Sequence, residues 1–171
     1  TKVTLPDGSA TSYVYSGNTV TVTDPAGHWK KYTMDAFGNV KQVDEPDPTL
    51  GTVSTTYSYD VLNHLTDVWM TRGSTTQHRG FDYTGGGTTV GAFLRSATNP
   101  ENGTVSYTYN GYGKVATKVD ANGNNFAYTY DTMGRLTQIS ANGNTLRTLY
   151  YDTNPFDSSN AFNQYTTGRL T

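Results

Sequence analysis

Apolar and polar residues alternate with a period of two through most of this chain. Phe126, Tyr128 and Tyr130 fall on one side of such a stretch, and Ala127, Thr129 and Asp131 on the other. Val105, Tyr107 and Tyr109 repeat the pattern, as does Thr19-Val20-Thr21-Val22-Thr23 near the start. This period predicts half-buried strands. Each alternating stretch is followed by a second one whose apolar residues are offset by three, at Val40/Val43, Leu65/Val68 and Leu136/Ile139. Strict alternation would send the members of each pair to opposite faces. A bulge in the second strand would restore a common face and bend the sheet. An i, i+3 pair also fits a helical turn, but Thr66, Thr137 and the flanking Gly disfavour it. No stretch reads as a helix.

Two turn signals separate the strands. One is a cluster of Asp, Asn, Pro and Gly, as in Pro6-Asp-Gly8, Asp24-Pro-Ala-Gly27, Asn99-Pro-Glu-Asn-Gly103, Asp120-Ala-Asn-Gly123 and Ala141-Asn-Gly143. Asn-Gly and Asp-Gly tolerate the positive φ of tight hairpin turns. The other follows a Tyr-Asp pair, as in Ala36-Phe-Gly38, Gly111-Tyr-Gly113 and Thr132-Met-Gly134.

Strands and turns together form a repeat. Its first aromatic, or the residue in that place, is Tyr13, Tyr32, Tyr57, Phe81, Tyr107, Tyr128 and Leu149, at steps of 19 to 26 residues. Seven copies fill the chain, and such a period marks a solenoid, propeller or array. The repeated positions are Tyr32, Asp35 and Gly38; Tyr57, Tyr59 and Asp60; Tyr107, Tyr109 and Gly113; Tyr128, Tyr130, Asp131, Gly134, Arg135 and Leu136; Tyr151 and Asp152. Two copies are degenerate: Leu62-Asn63-His64-Leu65 replaces x-Gly-x-Leu, and a long insert precedes Gly168.

Residues 1–171 therefore read as one array of about seven antiparallel hairpins, interrupted by loops at 44–51 and 153–167. Pro46 and Pro48 supply no ladder donor, which argues against a central strand there. Two strands alone are marginal in water, so adjacent hairpins must pair into one ribbon that twist and bulges would curl. Its two ends would offer unpaired strand edges.

Composition agrees with this picture. Only 34% of residues are hydrophobic, but 13% are aromatic, 14 of them Tyr, and there are 18 Gly. The net charge of −2 and the absence of a basic stripe leave nucleic-acid binding without footing. There is no Cys, hence no disulfide framework or thiolate metal site. No apolar run is long enough to span a membrane as a helix. The chain begins at Thr1 with no visible signal peptide, and reads as a fragment or a mature product.

Candidate chemistry is sparse. Asp35, Asp60, Asp131 and Asp152 recur at one position and could form a ladder of acids or metal ligands. The plainer reading is that each accepts backbone or Tyr hydrogen bonds at the turn after its strand. His28, His64 and His78 lack metal-ligand spacing. No Gly-x-Ser-x-Gly elbow occurs, and Gly85-Gly-Gly87 lacks the Lys-Ser/Thr of a phosphate loop. Trp29, Trp69 and Tyr112 could stack on sugar rings, with Trp29 placed by alternation opposite Tyr32 and Met34. Asn102-Gly-Thr104 is a formal glycosylation acceptor that also reads as a turn. No enzyme activity, cofactor or metal is expected.

The pattern G-x-x-x-x-Y-x-Y-D-x-x-G-R-L, met best at Gly123 to Leu136, resembles the YD repeat of Rhs-type proteins, and the likeness runs through all seven copies. That family includes bacterial polymorphic toxins, cocoon subunits of insecticidal toxin complexes and teneurins. The resemblance implies an all-β strip that spirals into a hollow shell around an effector. It also implies carbohydrate binding as an attributed property. Three functions follow as expectations. The first is a structural segment of a secreted or cell-surface bacterial shell that encloses or displays another domain. The second is a glycan- or protein-binding adhesive module. The third is a filament subunit joined through strand edges to repeats of a neighbouring chain.

Overall fold

The structure, a computed structural model, describes residues 1–84, 91–152, 168 and 170. All its regular structure is β. Fourteen strands hydrogen-bond in chain order in one sheet. The chain divides into two compact units, residues 1–92 with 97–101 and residues 93–96 with 102–171. The first holds β1 (Lys2–Thr4), β2 (Ala10–Ser16), β3 (Thr19–Thr23), β4 (Trp29–Met34), β5 (Val40–Asp47), β6 (Gly51–Tyr59), β7 (Leu65–Arg72) and β8 (Thr75–Asp82). β9 (Ser96–Asn99) falls at the division. The second unit holds β10 (Gly103–Tyr109), β11 (Val115–Val119), β12 (Asn125–Tyr130), β13 (Leu136–Ala141) and β14 (Asn144–Thr148). No helix among the described residues is long and apolar enough to cross a membrane.

The three-residue offset of the second strands resolves as a bulge. Tyr130 pairs with Leu136 but Thr129 pairs with Gln138, so Thr137 is the extra residue. The same shift occurs at Thr33/Met34, Ser58/Tyr59 and Thr108/Tyr109. As a result Val40 lies opposite Met34 and Val43 opposite Tyr32, and those two partners share a face of β4. Leu65 and Val68 face Tyr59 and Tyr57 in the same way, and Leu136 and Ile139 face Tyr130 and Tyr128. The bulge puts every apolar pair on the tyrosine side of the sheet.

The segment 44–51 is not a loop, contrary to the sequence-based expectation. β5 and β6 run through it, Asp44 pairing with Ser54 and Pro46 with Thr52, and the turn shrinks to 48–50. Pro46 is tolerated because the ladder between β4 and β5 stops at Asp44. Beyond that point β5 is an edge on that side, where a missing N–H costs no ladder bond. The expected loop at 153–167 and Gly85-Gly-Gly87 lie outside the described residues. At the last repeat, Leu149 sits just past β14, yet its N–H still donates to the Thr137 carbonyl at 2.8 Å.

Burial is shallow. Among the described residues only Val43, Val53 and Thr55 are buried, all in the first unit. A sheet ordinarily hides one face against a second layer. The described part of each unit has only its own cross-strand neighbours, and its aromatic rings are half-buried at best.

Candidate functional site

The repeated Asp and Gly build one five-residue turn, used over and over. In residues 131–135 the Asp131 N–H donates to the Arg135 carbonyl and the Gly134 N–H to the Asp131 carbonyl, both at 2.9 Å. Asp131 Oδ1 accepts the N–H groups of Met133 and Arg135, at 3.0 and 2.8 Å. The same bonds recur in 35–39, 60–64, 110–114 and 120–124, with Asn110 in the place of Asp in one of them. Turn 24–28 shares the frame, and 5–9 shares its backbone bonds with Leu5 in the Asp place. The fourth residue needs a positive φ, +76° at Gly134. In the degenerate copy Asn63 takes that role with φ +70°, since Asn is the residue after Gly that tolerates it best. The recurring Asp therefore accepts backbone N–H groups rather than Tyr hydroxyls.

Of the fifth residues of these turns, sequence reading singled out Arg135 as a motif position and missed the role of the others. The fifth side chain returns to the free oxygen of the turn Asp: Asn39 to Asp35, His64 to Asp60, Asn124 to Asp120 and Arg135 to Asp131, at 2.7 to 3.0 Å. Bonds from the fifth residue, by side chain or backbone, pull the turn carboxyls below their ordinary range. The Asn39 and Asn124 side chains hold Asp35 and Asp120 below the usual carboxylate range. For Asp24 and Asp131 the first cause is the backbone N–H of His28 and of Arg135. At Asp60 burial pushes upward, and the backbone and ring of His64 together leave the value lowered.

The same fifth residue reaches the next repeat. Asn39 and Asn63 exchange side-chain amide bonds. His64 stacks on Tyr83 at 4.3 Å, and Lys114 lies 5.7 Å from the Tyr130 ring centre. Arg135 grips Asp152 with both terminal nitrogens, at 3.0 and 2.7 Å, and lies over the Tyr151 ring at 4.5 Å. That fork holds the Asp152 carboxyl down to about 2, with the Gly168 N–H also contributing. Position within the motif, one residue after the turn Gly, is the signal that could have revealed this joint.

The two tyrosines of each phrase divide their work. Tyr32, Tyr57, Tyr107 and Tyr128 lie opposite Val43, Val68, Lys118 and Ile139 on the partner strand. The second tyrosine donates its hydroxyl to a backbone carbonyl of the preceding repeat. Tyr59 bonds Val40, Tyr109 bonds Leu94 and Tyr130 bonds Val115, at 3.0, 2.7 and 2.8 Å. Burial is the first cause that raises the Tyr59 and Tyr130 hydroxyl pKa values. Gly38 and Gly113 are fourth residues of their turns. Leu136, the first residue of β13, faces Tyr130.

The aromatic candidates separate. Trp29 is half-buried and borders a pocket of about 330 Å³ with Val22, Asp24, His28, Lys30, Tyr32, Glu45 and Pro46. Strand alternation places it opposite Tyr32, but as the first residue of β4, beside a turn, it borders the same pocket. Lys30 is paired there with Glu45 at 2.6 Å. One face of Trp69 is covered by the His78 ring at 3.7 Å, and His78 Nε2 lies 2.8 Å from Asp67 Oδ1. Tyr112 projects from the tip of turn 110–114. Among the described residues no group of three or more His, Asp or Glu is placed to hold a metal ion.

Residues 109–145 match the RHS Repeat family model. No curated protein matches the chain. Solved structures do. A crystal structure of TcdB2-TccC3-TEV superposes with a TM-score of 0.74 at 14% identity, covering 99% of this chain and 9% of that one. The Photorhabdus luminescens Tc holotoxin pore with a mutated TccC3 gives 0.71 at 14% identity, with the same coverage. A TcdB2-TccC3-Cdc42 crystal structure gives 0.52 at 13% identity over 86% of this chain and 10% of that one. At these identities the likeness is one of fold. The chain spans about a tenth of the length of the chains it matches.

Proposed function

From an RHS repeat at 109–145 and a fold shared with Tc toxin chains over nearly the whole length, we propose that this chain is a stretch of wall in an Rhs-type β-shell. The shell belongs to a secreted or cell-surface bacterial protein and encloses or displays another domain. The observation that carries the reading is the superposition of 99% of the chain on a Tc toxin chain. Shallow burial supports it, because a tyrosine face this thinly covered suits a wall that gains its stability from many neighbours in series. The fifth residues of the turns reach into the next repeat, which is the work of a structural segment. The test is the gene read outward from both ends, followed by limited proteolysis of the full-length product. Many further repeats and a neighbouring domain protected from protease are expected. A handful of repeats, or a neighbouring domain digested as fast as when it is free, would overturn the reading.

A second reading rests on the Trp29 pocket. An indole edge beside Asp24, Lys30 and Glu45 offers a stacking surface and polar groups to a sugar ring. A glycan array on which the wild type binds and Trp29→Ala does not would support it. No binding by the wild type would end it.

A further inference from the structure

In four repeats the ring of the second tyrosine is covered by a basic side chain. Arg135 lies over Tyr151 at 4.5 Å and forks onto the adjoining Asp152 at 3.0 and 2.7 Å. Lys114 lies 5.7 Å from the Tyr130 ring centre, and Arg95 lies 5.5 Å from that of Tyr109. His64 stacks on Tyr83 at 4.3 Å. Tyr59 stands immediately before the turn 60–64, as Tyr130 stands before 131–135. Yet among the described residues no cation and no second ring covers it. The fifth residue that corresponds to Lys114 and Arg135 is Asn39, and it is too short to reach the ring. Its amide stops at Asn63, the fourth residue of the next turn.

The place left open is hollow. One cavity, of about 290 Å³, is bordered by Asp35, Phe37, Lys41, Tyr59 and Asn63, and another, of about 640 Å³, by Phe37, Tyr59, Asp60 and Val61. Phe37 walls both, although it is the tip of turn 35–39 and 88% exposed. The turn does not need that side chain. Its third residue contributes only a backbone N–H, from Phe37 and from polar Asn122 alike. Strands reverse at every turn, and the tips on the opposite edge of each unit, Asp7 and Ala26 in the first and Asn122 in the second, are small or polar. Charge at the hollow is unbalanced. Asp35 and Asp60 are both held below the ordinary carboxylate range, and Lys41 is the single lysine at the border, so the site is negative near neutral pH.

We propose that the hollow walled by Phe37 and Tyr59 binds an arginine side chain of a partner peptide, whose guanidinium takes the place that Arg135 fills at Tyr151. This goes beyond the role as wall and does not depend on it. A guanidinium is planar and weakly hydrated, stacks on aromatic rings and presents a fork to carboxylates. Phe37 and Tyr59 supply the rings. Asp35 and Asp60 supply the acceptors: in each, Oδ2 takes one side-chain donor, and a carboxylate oxygen has room for two. Lys41 borders the smaller hollow without lying over the Tyr59 ring. A partner lysine would bring the same charge as a compact, strongly hydrated ammonium, which is less suited to rings and fork.

NMR titration of the 171-residue chain with a capped alanine–arginine–alanine peptide tests the proposal. The peptide should give saturable shifts at Phe37, Tyr59 and Asn63, with a dissociation constant on the order of millimolar. The same peptide with citrulline keeps the planar N–H groups without the charge, and should bind about fivefold more weakly. Phe37→Ser leaves the turn bonds in place and should weaken the arginine peptide about threefold. Asn39→Arg supplies the guanidinium from within, so it should abolish the shifts and raise the melting midpoint. Unchanged circular dichroism keeps loss of fold out of both results. A wild type without saturable shifts at peptide concentrations on the order of tens of millimolar would overturn the proposal. So would a citrulline peptide that binds as well, a Phe37→Ser or Asn39→Arg chain that binds like the wild type, or shifts centred on Tyr130 or Tyr151.

Discussion

The two units build the same repeat from different resources. The first has the longer strands, eight and nine residues in β5 and β6, and holds the buried side chains Val43, Val53 and Thr55. Its motif is worn: Met34 stands where a second tyrosine would be, and Asn63 replaces the turn glycine. The second unit has strands of five to seven residues from β10 to β14 and no buried residue among those described. It keeps the motif, with Tyr109 and Tyr130 bonded to the preceding repeat and Arg135 forked onto Asp152. It is also where the family model matches. Burial and motif bonding are thus weighted differently: the first unit adds buried side chains to the joints it keeps, Tyr59 on Val40 and Asn39 on Asn63, and the second makes such joints with no buried residue among those described.

The sharpest way to break this comparison is to truncate a valine in each unit. Val53→Ala removes buried apolar surface and should cost about 1.5–2 kcal/mol in chemical denaturation. Val105→Ala, at a half-buried position of β10, should cost less than about 1 kcal/mol. Equal losses would mean that the two units share one kind of stability after all. Next comes Arg135→Ala, which should lower the melting midpoint by about 3–5 °C near neutral pH, against about 1 °C for Asn39→Ala at the matching position. The arginine effect should also depend on pH. Asp152 is depressed from 3.8 to about 2, so its stabilisation is complete above the unfolded value and is lost as pH falls through the folded one. The gap between wild type and Arg135→Ala should therefore narrow from about pH 5 to about pH 2. The tyrosine hydroxyls test the comparison last. Tyr130→Phe and Tyr59→Phe should each cost about 1 kcal/mol, because each leaves one carbonyl without its donor. If Tyr59→Phe proved silent in thermal unfolding while Tyr130→Phe did not, long strands would be shown to make the bond redundant.

Much of this was legible in the residues. Period-two alternation marked β3, β10 and β12, and the i, i+3 offset of Leu136 and Ile139 called for the bulge found at Thr137. Turn residues marked both edges of the sheet. The hairpin through 44–51 was hidden because a proline was weighed as if β5 were flanked by strands along its whole length, whereas its far end has a neighbour on one side only. The role of the fifth turn residues was hidden for another reason. On the edge with turns 35–39, 60–64, 110–114 and 131–135 that place holds Asn39, His64, Lys114 and Arg135, four residue types, so no single type repeats along it to catch the eye. The apolar tips needed the topology, since nothing in Phe37 alone tells which edge its turn will occupy.

That variety at one place bears on how such a chain can change its length. The fifth-residue joint between neighbouring hairpins is one side chain and whatever faces it across the gap. Copying or deleting a single hairpin by recombination would disturb one such meeting and leave all the others as they were. One later codon change at the fifth position, Asn to His or Lys to Arg, could settle the new neighbour. A wall assembled this way can be lengthened or shortened one course at a time, without recasting the bricks.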